Sequence, residues 1–200
     1  MADSRLIVLL RAPRLGTVKT RLAAALGPDA ALAAYRRLLN ATLRAVACLP
    51  DVELRCTPDD AVAEVSALAQ PGWTVNPQGD GALGVRLQRA FADGYARGAK
   101  RLAVIGSDCP HLTAADIRAA WQALDRHDVV LGPATDGGYW LIALSALHSG
   151  LFENIDWGGP AVLQQSLDRA ASLTLRVHRL RELSDVDTAE DWERERPKLP

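Results

Sequence analysis

Two short apolar runs, Leu6-Ile-Val-Leu-Leu10 and Leu102-Ala-Val-Ile105, constrain this chain more than any other feature. Neither alternates apolar with polar residues. A strand made from either must therefore be covered on both faces. The covers are legible in the same sequence. Residues 29–48 carry Leu32, Tyr35, Leu39, Leu43 and Val46 at helical spacing, and Leu83, Leu87, Phe91 and Tyr95 recur every four residues. Thr113 to Asp116 reads as a capping box that opens a helix to about Leu124, and Thr188 to Asp191 caps a last short one. Further helices are expected over 58–68 and 160–171. Strands are expected over 52–56, 73–75, 128–131, 139–144 and 173–180. Strands alternating with helices predict an α/β sandwich with a mostly parallel central sheet, in one domain spanning residues 1–200.

Composition narrows the function classes. The net charge of −1 gives no support to nucleic-acid or membrane binding. No apolar run is long enough for a membrane span, and the N-terminus lacks the pattern of a signal peptide. Cys48, Cys56 and Cys109 are odd in number and without metal-site spacing, which fits a reducing cytoplasm. The sequence does not reveal an oligomeric state.

Against this near-neutral background, one segment is basic. Arg11-Ala-Pro13-Arg14-Leu-Gly16-Thr-Val-Lys19-Thr-Arg21 follows the first apolar run. A loop of this kind at a strand's end points to an anion held at the carboxyl edge of the sheet. It has neither the dinucleotide fingerprint nor the Walker A pattern, so side-chain cations would make the grip. Arginine outnumbers lysine 20 to 3, which draws attention to Lys19 as a compact point charge for phosphate.

Other polar clusters fall after strands. Gly106-Ser-Asp108-Cys-Pro110 puts a carboxylate at a strand tip, where it could hold Mg²⁺ together with substrate phosphates; a turn-capping aspartate is the plainer reading. Asp187 precedes the N-cap Thr188, and either a second metal ligand or helix-terminus electrostatics accounts for it. Gln78-Gly-Asp-Gly-Ala-Leu-Gly84-Val-Arg86 leads into a helix. A cation in a first turn asks for a compensating anion, unless Arg86 is simply solvated. Asp136-Gly137-Gly138-Tyr139 is a substrate loop or a β-turn. Trp157-Gly-Gly-Pro160 is an acceptor-side loop or a turn with a packed tryptophan. Cys109, beside an aspartate, is not expected to be a nucleophile.

Taken in order, these motifs resemble the bacterial DUF2064 family of transferases. That family has the glycosyltransferase-A (GT-A) fold and is similar to nucleotide-diphospho-sugar transferases and to small nucleotidyltransferases such as phospholactate guanylyltransferase. The matching segments are Arg11–Leu22, Gln78–Arg86, Gly106–Pro110, Asp136–Tyr139 and Asp185–Asp191. The resemblance implies a nucleotide or nucleotide-sugar donor bound by Arg11, Pro13, Gly16, Lys19, Arg21, Gln78, Gly84, Arg86 and Gly106. It implies Mg²⁺ (or Mn²⁺) on Asp108 and Asp187, with Lys19 and Asp108 in the catalytic centre. A small-molecule acceptor would meet Asp136, Gly137, Gly138, Tyr139 and Trp157. Nucleotidylyl transfer from a nucleoside triphosphate is the expected reaction, glycosyl transfer the alternative, and a non-catalytic nucleotide sensor a third reading. Two departures bear on the acceptor: Trp157-Gly-Gly-Pro160 replaces a Trp-Ser/Thr-x-Pro element, and Asp80-Gly-Ala alters the second motif.

Overall fold

A computed structural model describes residues 3–198. Its centre is one seven-stranded sheet. The strands are β1 (Ser4–Arg11), β2 (Val52–Thr57), β3 (Thr74–Pro77), β4 (Arg101–Ile105), β5 (Val129–Pro133), β6 (Tyr139–Leu144) and β7 (Val177–Arg179). Their order across the sheet is β3-β2-β1-β4-β6-β5-β7. Only β6 runs antiparallel to its neighbours.

The apolar runs divide between two faces, as a strand period of two requires. Leu6, Val8 and Leu10 point into one core with Ala103 and Ile105; Ile7 points into the other with Leu102 and Val104. The first core is closed by α2 (Pro28–Val46), α3 (Val62–Ser66) and α5 (Ala114–Ala123). The second is closed by α4 (Leu83–Ala96) and α6 (Val162–Ser172). A third, smaller cluster joins α1 (Thr20–Leu26) to α2 and α7 (Ala189–Glu195) through Leu22, Leu38, Val186 and Trp192. The sequence pattern gives no helix over Thr20–Leu26. This helix has seven residues, no side-chain cap and a single buried residue, Leu22, so it carries almost no periodic signal. The last expected strand is also shorter than 173–180: Leu173 and Thr174 close α6 instead.

Topology gathers the polar loops. Val8 of β1 pairs with Ile105 of β4, and Ile105 with Leu141 of β6. The carboxyl ends of β1 and β4 therefore share an edge with the amino end of β6. The segment after β7 returns to this edge, where the Val186 amide donates to the Asp108 carbonyl (3.2 Å). The α7 capping box then fixes Asp187. The Asp191 carboxylate accepts from the Asp187 and Thr188 amides at 3.2 and 2.9 Å, while Thr188 Oγ1 accepts from the Asp191 amide. Thr188→Ala should cost about 1 kcal/mol and lower Tm by roughly 2–4 °C, measurable by calorimetry. An unchanged Tm would mean that α7 holds through Trp192 alone.

Candidate active site

The carboxyl edge of the sheet opens into a cavity of about 700 Å³. Its floor is built by local necessity. The buried Tyr35 hydroxyl on α2 needs partners; it accepts from the Arg11 amide (3.0 Å), donates to the Arg11 carbonyl (2.8 Å) and meets Ser107 Oγ (3.2 Å). That one group ties the end of β1 to the loop after β4. Gln78 does the same on the other side. Its Nε2 donates to the carbonyls of Leu10 and Arg55, both at 3.0 Å. Gln78 thus lines the cavity with its donors already spent on backbone. Its Oε1 accepts from Arg86 Nη1 (3.2 Å), and Arg86 Nε donates to the Gly81 carbonyl (2.8 Å). Both acceptors are neutral, so the Arg86 charge remains available to an anion.

The basic loop separates into different duties. Arg14 binds Asp60 and Glu64 at 3.1 and 2.9 Å and anchors the loop to the segment after β2. The exposed Arg11 side chain has no hydrogen-bond or ion-pair partner among the described residues and lines the cavity. Arg21, 76% exposed, touches Asp187 at 3.4 Å.

Lys19 is the centre of the arrangement. Its Nζ lies 2.8 Å from Asp108 Oδ2 and 2.8 Å from Asp187 Oδ1. Its side chain is 5% exposed, against 38% and 43% for the two carboxylates. Burial works to lower the ammonium's pKa, but the charges of Asp108 and Asp187 outweigh it and the net shift is upward. The backbone of Lys19 is left-handed, with φ 47°. That costs of order 1–3 kcal/mol for a residue with a Cβ, and the two ion pairs hold it there.

A second cavity of about 230 Å³ shares Leu83, Gly106 and Asp108 with the first. Asp136, Gly138, Tyr139 and Trp157 line it, together with Trp140 and Asp185. The Asp136 carboxylate accepts from the Gly138 amide (2.8 Å), and Tyr139 meets Trp157 edge to face at 6.5 Å. Burial first, then the charges of Asp136 and Asp108, pushes the Asp185 carboxyl up to about 6. Burial and Asp108 likewise push the Cys109 thiol up, which leaves it inert as a nucleophile.

The raised Asp185 pKa fixes the sign of a pH effect in the metal-free protein. A carboxyl raised on folding lends stability below its unfolded value of about 4 and loses it as pH rises through about 6. Asp185→Asn should therefore raise Tm at pH 8 and leave it unchanged at pH 3.5. An equal rise at both values would assign the gain to packing instead of charge.

Four of the residues singled out in the sequence line neither cavity. Pro13 and Gly16 shape the basic loop. Gly84 faces Trp157: a Cβ there would lie 2.5 Å from the indole nitrogen. Its role is close packing of α4 on the Trp157 loop. Gly137 is pressed against the Pro160 carbonyl in the same way. Residues that sequence reasoning passed over include Tyr35, Thr57, Ser107 and Leu83. Tyr35 carried a signal, since a tyrosine on an apolar helix face must place its hydroxyl somewhere.

The donor set suits a hard divalent cation. Two carboxylate oxygens already share one cation, the Lys19 ammonium, and Mg²⁺ commonly takes one or two carboxylates with phosphates filling other positions. Among the described residues, no group of three or more His, Cys, Asp or Glu side chains is arranged to hold a metal alone. No helix among them is long and apolar enough to cross a membrane.

A family profile described as "Uncharacterized protein conserved in bacteria (DUF2064)" matches residues 39–159, more than half the chain. A phosphoenolpyruvate guanylyltransferase of Sphaerobacter thermophilus is 32% identical over 197 residues, covering 94% of this chain and 90% of that one. A crystal structure from Desulfovibrio desulfuricans G20, of a protein assigned to the nucleotide-diphospho-sugar transferases, superposes with a TM-score of 0.88. It is 30% identical and covers 94% of this chain and 84% of that one. Rv0371C of Mycobacterium tuberculosis, solved as a manganese complex, shares the fold at a TM-score of 0.53 and 19% identity, covering 95% and 96% of the two chains.

Proposed function

The chain belongs to the DUF2064 family, and we propose that it is a nucleotidyltransferase that moves a nucleoside monophosphate from a triphosphate to a small phosphorylated or hydroxylated acceptor. One observation carries this reading. Arg11, Lys19, Arg21 and Arg86 all line the larger cavity, and Asp108 stands where that cavity meets the smaller one. The larger cavity takes the donor and its phosphates; the smaller takes the acceptor. The guanylyltransferase relative supports nucleotidyl transfer.

In the reaction, an acceptor oxygen bonds to the α-phosphorus and the bond to the β-phosphate oxygen breaks. Pyrophosphate leaves with the electron pair. Such chemistry needs positioning and charge neutralisation more than acid–base groups. Arg11 and Arg86 hold phosphate oxygens, and Lys19 turns from the carboxylates to the phosphates. Asp108 and Asp187 would hold Mg²⁺ or Mn²⁺, which neutralises charge on the phosphate oxygens when bound; the manganese complex belongs to a neighbour of like fold. Free Cys48, Cys56 and Cys109 suit a reducing cytoplasm.

Likeness to a nucleotide-diphospho-sugar transferase at a TM-score of 0.88 keeps glycosyl transfer as the second reading. Product analysis separates the two. With Mg²⁺ and each nucleoside triphosphate in turn, an acceptor extract should release pyrophosphate. Release of nucleoside diphosphate from a nucleotide-sugar, with none of pyrophosphate, would install the second reading. Arg181→Ala serves as control, since that side chain pairs with Asp116 outside both cavities.

A further inference from the structure

The two cavities differ in charge. All four cationic side chains that reach either cavity line the larger one. The smaller has no Lys, Arg or His among its described lining residues, and three carboxylates, Asp108, Asp136 and Asp185. Lys19, which reaches the shared Asp108, is already bound to Asp108 and Asp187. A cation held by that pair would leave Asp136 and Asp185 still facing the acceptor. One Asp136 oxygen accepts from the Gly138 amide, and no other side chain or amide is bonded to this carboxylate among the described residues.

The remaining walls are aromatic and backbone. Tyr139 and Trp157 form a right-angled corner, with interplanar angle 86°, and Gly158 and Gly159 bring main chain to the surface. Carboxylates only accept hydrogen bonds, so they want hydroxyl donors. Aromatic faces want apolar C–H surface. The volume of about 230 Å³ is some eight times a water's share of liquid, the scale of one sugar ring.

We infer that the acceptor is a neutral polyhydroxylated molecule, a monosaccharide or polyol, and not a phosphorylated acid. The inference rests on the nucleotidyltransferase reading and names its acceptor class. The acceptor's hydroxyl oxygen forms the new bond to the α-phosphorus, pyrophosphate leaves with its electron pair, and the hydroxyl proton passes to water. Phosphoenolpyruvate, with phosphate and carboxylate together, would bring its charges against Asp136 and Asp185 without a lysine or arginine to meet them. This sets the chain apart from its guanylyltransferase relative in acceptor choice while the donor half stays alike.

The test measures pyrophosphate release with Mg²⁺ and the preferred nucleoside triphosphate against two panels: hexoses, pentoses and linear polyols, then phosphoenolpyruvate and 3-phosphoglycerate. At least one neutral acceptor should exceed both acids in kcat/KM by tenfold or more. Asp136→Asn, which keeps an acceptor for the Gly138 amide, should lower kcat/KM for that neutral acceptor about tenfold and leave the Kd of the nucleotide unchanged. Faster turnover with either acid overturns the inference, as does bound nucleotide with no stimulation by any neutral acceptor. Absence of nucleotide binding would instead overturn the nucleotidyltransferase reading itself.

Discussion

Lys19→Ala is expected to lower nucleotidyl transfer by about 100- to 1000-fold and, in the same protein without nucleotide, to tighten Mn²⁺ binding about tenfold, worth about 1.4 kcal/mol. Both effects come from one geometry. The ammonium sits 2.8 Å from an oxygen of Asp108 and 2.8 Å from an oxygen of Asp187. A divalent cation on that pair competes with it for the same atoms. Without nucleotide, lysine is a resident competitor, and its removal leaves two carboxylates facing one another, with Arg21 the remaining ion-pair partner of Asp187 among the described residues. In the proposed reaction the lysine moves to the phosphates when nucleotide binds, so its removal should slow turnover. Lys19→Gly separates charge from backbone, because φ 47° strains alanine and not glycine. Both variants should show the same Mn²⁺ titration by calorimetry or electron paramagnetic resonance, with glycine the more stable. Mn²⁺ affinity unaltered in both would place the metal away from Asp108 and Asp187.

Much of this site could be read from the chain, because its pieces are local. The capping boxes at Thr113 and Thr188 and β6 at Tyr139–Leu144 are short-range patterns, and each lies where the sequence reading put it. The alternation of strands and helices by itself puts the polar loops on one edge. What escaped were contacts across the chain. Lys19 meets carboxylates 89 and 168 residues away, and no spacing rule reports such a pair. Arg86 read as an anion ligand because it is a cation in the first turn of a helix, and Gln78 entered the site only through the family resemblance. In the fold, Gln78 spends its donors on two backbone carbonyls, whereas Arg86 bonds only neutral acceptors and keeps its charge for an anion. Gly84 was legible as a small residue but not as the one that admits Trp157. Asp185, near Asp187 in sequence, showed no sign that it would turn toward Asp136, because a loop's side-chain directions depend on packing that Val186 decides from the buried side.

The same separation explains how a near-neutral protein handles a highly charged donor. The charge is sorted, not added. Cations collect on the β1 side through the basic loop and α4, and carboxylates collect where β4, β6 and the segment after β7 converge. Asp108 belongs to both sets. It neutralises Lys19 on one side and lines the smaller cavity on the other.

Asp108→Asn should therefore abolish transfer more completely than any other conservative change in the site. A loss of about 10²–10⁴ in kcat is expected, in the range seen when one preorganised electrostatic group is removed. The substitution is nearly isosteric and keeps the Asp108 carbonyl that receives the Val186 amide, so the loop between β4 and α5 should hold its shape. Lys19 keeps Asp187 as a partner. Because Asp108 is 38% exposed, the lost ion pair should cost no more than about 1 kcal/mol of stability. A thermal melt within a few degrees of the parent would then certify the fold. Nucleotide affinity measured without metal should fall little, since Arg11 and Arg86 remain. With Mg²⁺, the affinity gained over the metal-free state should shrink. This pattern separates an enzyme from a nucleotide sensor. A sensor would keep its affinity and would have no turnover to lose, whereas the parent protein here must release pyrophosphate before Asp108→Asn can remove it. Full activity in a folded Asp108→Asn protein would take this carboxylate out of the reaction and with it the junction between the two cavities.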